Sequence, residues 1–287
     1  MFSTKVKILM SLLFVVLSVN VYSQDEDEKE LGWFFDANFA TLWTGGNSES
    51  VTFGLGAMLK RVWANSELRF DAGGTQTKST LTTRTAVGTA NNFEVKEKTK
   101  TEKTAELFFA RGRYDHNFSN FFYALVGIDW LRNRFAGIES RFLIGAGVGN
   151  VWVDKDDVSF KTDYSFTYTF QSDVVENPFV KNNFPGIRFS YNFWYKLTAS
   201  TEFESILIVD WNLDNTDDVR MDFYNALPII INEMFTLKPS LQLLWRNDPS
   251  LTDVDLFAPD GTPAGATVLV PLKNLDSLFS LTLVVKI

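Results

Sequence analysis

From Trp33 onward the chain alternates bulky apolar residues with small or polar ones. The stretch Trp33–Trp43 sets Phe35, Ala37, Phe39 and Thr41 against Phe34, Asp36, Asn38, Ala40 and Leu42. Three later segments show the pattern most fully. Val158, Phe160, Thr162, Tyr164, Phe166, Tyr168 and Phe170 share one side, opposed by Ser159, Lys161, Asp163, Ser165, Thr167 and Thr169. Ile187, Phe189, Tyr191, Phe193, Tyr195 and Leu197 oppose Arg188, Ser190, Asn192, Trp194 and Lys196. Phe279, Leu281, Leu283, Val285 and Ile287 oppose Ser280, Thr282 and Lys286. A period of two is the signature of a strand with two unlike faces. Helical periodicity is almost absent. The pattern predicts about twelve strands, starting near Trp33, Val51, Glu67, Ala105, Phe121, Ser140, Val158, Pro185, Thr201, Val219, Phe235 and Leu275.

A soluble sandwich also alternates, with apolar inner faces. Three features point instead to an all-β, single antiparallel transmembrane up-and-down β-barrel over residues 32–287. The predicted strands run 11 to 15 residues, whereas soluble strands run nearer 5 or 6. Aromatics gather at strand ends, as at a water–lipid boundary. The connections alternate in length. Short ones fall at 64–67, 115–120, 154–157, 198–200 and 231–233, and longer ones at 44–50, 78–103, 133–140, 171–184, 212–219 and 247–273. Short periplasmic turns and long outer loops are the rule for outer-membrane barrels. With the first strand starting in the periplasm, the last ends there at Ile287, an even count.

Ten residues of strand cover about 33 Å. Tilted by about 40°, they rise about 25 Å, the height of the apolar band of such a barrel. Trp33, Trp63 and Trp152 then fall at the periplasmic edge of that band, and Trp43, Trp130, Trp211 and Trp245 at the outer edge. Trp194 points inward.

Inward positions by alternation are Asp36, Asn38, Arg69, Asp71, Arg111, Arg113, Asp129, Arg141, Lys161, Asp163, Arg188, Lys196, Glu202, Glu204, Asp210, Arg220, Asp222, Lys238 and Arg246. Charges shielded from lipid must face water or each other, so these are the candidate lumen-lining residues. Gly145, Gly147 and Gly149 form an inward stripe that leaves room beside the wall. Centring a turn on Ala199 predicts one register. Lys196 then faces Glu202, Arg188 faces Asp210 and Trp194 faces Glu204 inside, while Tyr195 faces Phe203 and Ile187 faces Trp211 outside.

Ahead of the alternation, residues 1–23 read as a secretory signal peptide. Lys5 and Lys7 precede an apolar run from Ile8 to Val19, too short for a stable membrane helix. Residues 24–31 read as a solvated acidic leader. Export places the mature chain in the outer membrane of a Gram-negative bacterium. Beyond residue 24 no apolar run reaches the roughly 18 residues of a spanning helix. The net charge of −8 over 287 residues argues against nucleic acid as a partner. The expected partners are outer-membrane lipids and, during biogenesis, the barrel assembly machinery; a soluble ligand is not legible.

Three short motifs stand in order: TGGNS (Thr44–Ser48), RYD (Arg113–Asp115) and IGAGVG (Ile144–Gly149). In these the chain resembles an uncharacterised outer-membrane β-barrel family, the salt-induced outer-membrane protein type, domain-of-unknown-function family 481. The resemblance implies a barrel at the cell surface and brings no catalytic residues with it.

Candidate chemistry is sparse. The one histidine, His116, falls in a predicted periplasmic turn and reads as solvated. A Ser–His mechanism would need a serine within about 3 Å of it. With no Cys and one His, no zinc site is expected. The run Asp214–Asp218 carries carboxylates suited to Ca²⁺ but lacks the Gly and distal Glu of a calcium loop, so it reads as a solvated acidic loop. No cofactor and no enzymatic activity are expected. The predicted loop 78–103 is net +3 and offers charge attraction to anionic lipopolysaccharide. A barrel of about twelve strands is wider than the eight-stranded kind that side chains fill. The expectation is therefore a passive pore for ions or small solutes, or else a non-conducting structural or binding barrel that works through its outer loops.

Overall fold

The structure, a computed structural model, describes residues 31–44, 48–89, 92–178, 180–232 and 235–285. The expected signal peptide and all of the acidic leader except Leu31 lie outside the described residues. Among the described residues fifteen strands follow one another: β1 (Gly32–Thr44), β2 (Ser48–Val62), β3 (Ser66–Thr89), β4 (Asn92–Asn117), β5 (Phe122–Asn133), β6 (Ile138–Lys155), β7 (Val158–Asp173), β8 (Asn183–Lys196), β9 (Glu202–Asn212), β10 (Val219–Ala226), β11 (Ile229–Ile230), β12 (Phe235–Arg246), β13 (Leu251–Phe257), β14 (Pro263–Pro271) and β15 (Leu275–Val285).

Each long strand pairs antiparallel with the next, in the order β1 to β10, then β12, then β15, with the two-residue β11 against β12. Twelve of the strands are long members of this meander, starting within a few residues of the predicted positions except at β4. Hairpins make this order natural, since tight turns join antiparallel neighbours directly. Where the chain leaves β5, a single 3-10 turn over Arg134–Ala136 closes on Gly137, whose φ of 76° is a left-handed conformation that glycine adopts at no steric cost.

The sheet is curled. Arg113 of β4 bonds Asp163 of β7, Arg188 of β8 bonds Asp129 of β5, and Arg111 of β4 stands 3.9 Å from Asp222 of β10. Strands three to six places apart meet through these side chains only if that face is concave. The result is an antiparallel up-and-down sheet curled as a half-barrel. Its edges are β1 and β15, which are not paired with each other among the described residues.

Polarity is inverted relative to a soluble protein. Along β7, Phe166 is 75% exposed on the convex face while Thr169 on the concave face is 3% exposed. Ser165, Thr167 and Gln171 are buried with it; Tyr164, Tyr168 and Phe170 are exposed. Water-soluble sheets put the apolar face inside.

Two expectations need correction. The segment 78–103 is not a loop: β3 and β4 run 24 and 26 residues as one hairpin. Its described side chains, at 78–82 and 94–103, are exposed or half-buried, and the sequence there shows no apolar alternation. The segment 247–273 is not a plain loop either, since β13 and β14 pair as a hairpin across Asp260 and Gly261.

Candidate functional site: the concave face

The register between β8 and β9 sets the middle of this face. Lys196 stands opposite Glu202, Trp194 opposite Glu204, and Arg188 opposite Asp210. Tyr195–Phe203 and Ile187–Trp211 stand opposite one another on the other face. This is the register expected from a turn centred on Ala199. A three-residue connection leaves little freedom to slip, and a slip of one residue would turn every side chain to the wrong face.

Carried from strand to strand, the registers bring all the expected inward positions to the concave face. One rung runs Asp36, Met58, Asp71, Arg111, Asp129 and Leu143; the next runs Asn38, Gly56, Gly73, Phe109, Leu131 and Arg141. Asp36 and Asn38 are placed by backbone register only.

Three polar tiers cross-link the wall. Nearest the short turns, the Asp163 carboxylate accepts from Arg113 Nη1 at 2.8 Å, Tyr123 OH at 2.5 Å and Ser190 Oγ at 2.9 Å. Arg113 Nε also donates to Asp115. Midway, Arg188 donates to Asp210 through Nε at 2.6 Å and Nη2 at 3.0 Å, and through Nη1 to Asp129. Toward the long connections, Arg220 donates to Asp218 through Nε and Nη2, and through Nη1 to Gln171 at 2.6 Å. Arg246 adds Nε to Asp218 at 3.1 Å. Bidentate guanidinium–carboxylate pairs are the strongest and most directional of such contacts. Lys238 of β12 reaches Glu204 of β9 at 2.6 Å. Arg141 lies beside this network, with no hydrogen bond or ion pair of its own among the described residues.

Above the third tier opens a polar cavity of about 360 Å³. Its lining includes Asp173, Lys181, Phe184, Asp214, Arg220, Arg246 and Asp248. Asp218, expected in a solvated acidic loop, is instead 3% exposed at the edge of this cavity. Burial works against its charge. The hydrogen bonds and charge of Arg220, with Arg246 and Asn212, outweigh that and hold its pKa down to about 2. Asp214 pairs with Lys181 at 3.2 Å. Among the described residues no group of His, Cys, Asp and Glu is arranged to hold a metal.

Tyr123, Gln171 and Ser190 are not among the expected lumen-lining residues, and Asp218 is expected only as part of a solvated acidic loop. Their signal was available in part: Gln171, Ser190 and Tyr123 fall on inward alternation positions, but none is charged. His116 also departs from expectation. It lies within β4, and its Nδ1 is 2.9 Å from Ser66 Oγ, which also receives Tyr114 OH at 3.0 Å. The edge of its ring meets Phe118. No carboxylate orients that ring among the described residues, so the arrangement stops short of a triad.

The tryptophans divide between the two ends of the sheet. Trp33, Trp63 and Trp152 lie near the short-turn end, Trp152 being 57% exposed. Trp43, Trp130, Trp211 and Trp245 stand near the other end by register. Trp194 is on the concave face, donating Nε1 to Glu202 at 3.1 Å.

A curled meander with an apolar convex side and an ion-paired concave side is a barrel-type sheet turned inside out relative to soluble folds. The chain belongs to the family described as "Protein of unknown function, DUF481", whose model matches residues 37–256. It is similar to an uncharacterised protein, YdiY, of Escherichia coli (strain K12), at 24% identity over 151 residues, 52% of this chain. It spans about half the length of that curated relative, 56%. Among solved structures it is similar to a Pseudomonas aeruginosa FadL homologue, with a TM-score of 0.38 at 12% identity, over 95% of this chain and 77% of that one. It is also similar to a bacterial polysaccharide outer membrane secretin, with a TM-score of 0.37 at 10% identity, over 88% of this chain and 91% of that one. Both likenesses are too distant to bear on what this chain does.

Proposed function

We propose that this chain is exported, sits in a bacterial outer membrane with its convex face in lipid, and acts as a passive pore for ions or small polar solutes. The supporting observation is the inverted polarity of the sheet. Exposed Phe and Tyr rows on one side suit hydrocarbon, and buried hydroxyls, amides and ion pairs on the other suit a wet lumen. The tryptophans at the two ends match the aromatic girdles of such proteins. An even number of long strands leaves β1 and β15 antiparallel, as sealing the barrel would require.

The lumen is narrow in this reading. The Arg111–Asp222 contact joins strands six places apart and forms a constriction. Steady ohmic steps are expected from the full mature chain in a planar bilayer. Arg111→Gln should raise the unit conductance, and Asp129→Asn or Arg141→Gln should shift ion selectivity. A folded protein with no conductance would overturn the pore. The same wall-to-wall ion pair and the cavity above it favour a second reading, a closed barrel that binds at its outer mouth, and the silent bilayer would select it.

A further inference from the structure

The β3–β4 hairpin outruns its neighbours. β2 accompanies β3 only to Leu81, and β5 accompanies β4 only to Leu107. Beyond those rungs the ribbon continues to Thr89 and Asn92 with neither edge paired among the described residues. An isolated two-stranded ribbon is marginally stable in water. The ribbon is also the basic part of an acidic chain: residues 78–103 are net +3 where the whole is −8.

The register puts Lys96, Lys98 and Lys100 in an unbroken row between Glu94 and Glu102 on one face, and Lys78, Arg84, Glu97 and Lys103 on the other. The pairing shifts between Thr77 and Lys78, which leaves Thr104 as an extra residue in β4. Below this bulge the odd residues of β4, Arg111 and Arg113, are concave. Above it the even residues share the face that continues the concave side. Lys96, Lys98 and Lys100 therefore form a row on that face, about 7 Å apart. Their register partners are Thr85, Thr83 and Leu81, none of them charged. All three lysines are exposed. Lys100 pairs with Glu102, while Lys96 and Lys98 make no ion pair among the described residues. On the opposite face hydroxyls pair instead, Thr80 with Thr101 at 2.9 Å and Thr82 with Thr99 at 3.2 Å, and Arg84 stands across from Glu97.

We propose that this lysine row is a docking face for an anionic polysaccharide, a carboxylate- or phosphate-bearing chain laid along Lys96, Lys98 and Lys100. Like charges in a row repel one another, and a linear polyanion relieves that while releasing its counterions. The row continues the concave side rather than the convex one, so its occupant arrives from the mouth and not from the surrounding leaflet. The site does not depend on conduction.

The test uses the full mature chain folded in neutral-phospholipid nanodiscs, with polygalacturonate as the probe and dextran as the uncharged control. Wild type should bind polygalacturonate with an affinity that falls steeply with salt, and should ignore dextran. Replacing Lys96, Lys98 and Lys100 together by Gln should weaken binding at least about tenfold. Replacing Lys78 and Lys103, on the opposite face, should leave it within about twofold. Both variants are at exposed positions, and heat-modifiable gel mobility reports their folding. No binding by wild type, equal binding by the triple variant, or equal loss in the opposite-face variant would each overturn the proposal. So would loss of binding to lipopolysaccharide vesicles in the triple variant with polygalacturonate binding intact, which would assign the row to the leaflet.

Discussion

At the scale of single residues, the concave face rests on close approaches that only small side chains permit. Gly149 is the sharpest case. A Cβ there would lie 2.2 Å from the Tyr123 ring, the ring whose hydroxyl holds Asp163. Gly149→Ala should displace Tyr123, break that contact and destabilise the fold by roughly 1–3 kcal/mol, read as a lower urea midpoint in detergent micelles. An unchanged midpoint would mean the ring is not held there. Asp218 gives a pH prediction with a definite sign. Its folded pKa is about 2, below the roughly 3.9 of an unconstrained aspartate. The stability it lends is therefore full above about pH 4 and fades as pH falls toward 2, by roughly 2 kcal/mol. Asp218→Asn should lack that portion of the acid sensitivity. A variant and wild type that lose stability in parallel between pH 5 and 2.5 would contradict the assignment.

Elements show where the sequence was legible and where it was not. The β8–β9 register could be read because a three-residue turn and strong alternation fix it together. The twelve long strands could be read for the same reason. The distal β3–β4 ribbon could not. Its Thr, Lys and Ser residues alternate with one another, and apolar periodicity vanishes when neither face is buried. The β13–β14 hairpin carried a usable sign in Pro259-Asp260-Gly261, a strong turn sequence, within a stretch otherwise read as loop. The tiers themselves were legible as inward charges, but not as partnerships. Arg113–Asp163 and Arg220–Asp218 depend on curvature and on side-chain reach, which alternation does not encode. If the distal ribbon is an appendage, shortening it should spare the sheet. Joining Leu81 to Lys100 by Asn-Gly, a turn suited to antiparallel neighbours, should give a protein that still folds, with an unfolding free energy from urea titration within about 0.5 kcal/mol of wild type. Failure to reach the heat-modifiable folded form would show that the ribbon is part of the folding unit.

At the scale of the whole molecule, a single physical contrast organises everything else. One face carries exposed apolar side chains and the other the ion-paired polar ones, and in the proposed placement the apolar side meets hydrocarbon and the polar side meets water. The ion-pair tiers, the divided tryptophans and the mouth cavity all take their meaning from that contrast. The absence of cysteine makes it directly measurable. Phe166→Cys lies on the convex face and Asn192→Cys on the concave face. Each single-cysteine protein, folded into lipid vesicles, would be offered a charged, membrane-impermeant thiol reagent, with a fluorescent label quenched by brominated lipid as the second readout. Cysteine 192 should react from water and escape lipid quenching; cysteine 166 should resist the reagent and be quenched by lipid. Equal reaction of both from water, with no lipid quenching at 166, would mean that the convex face does not lie in a membrane.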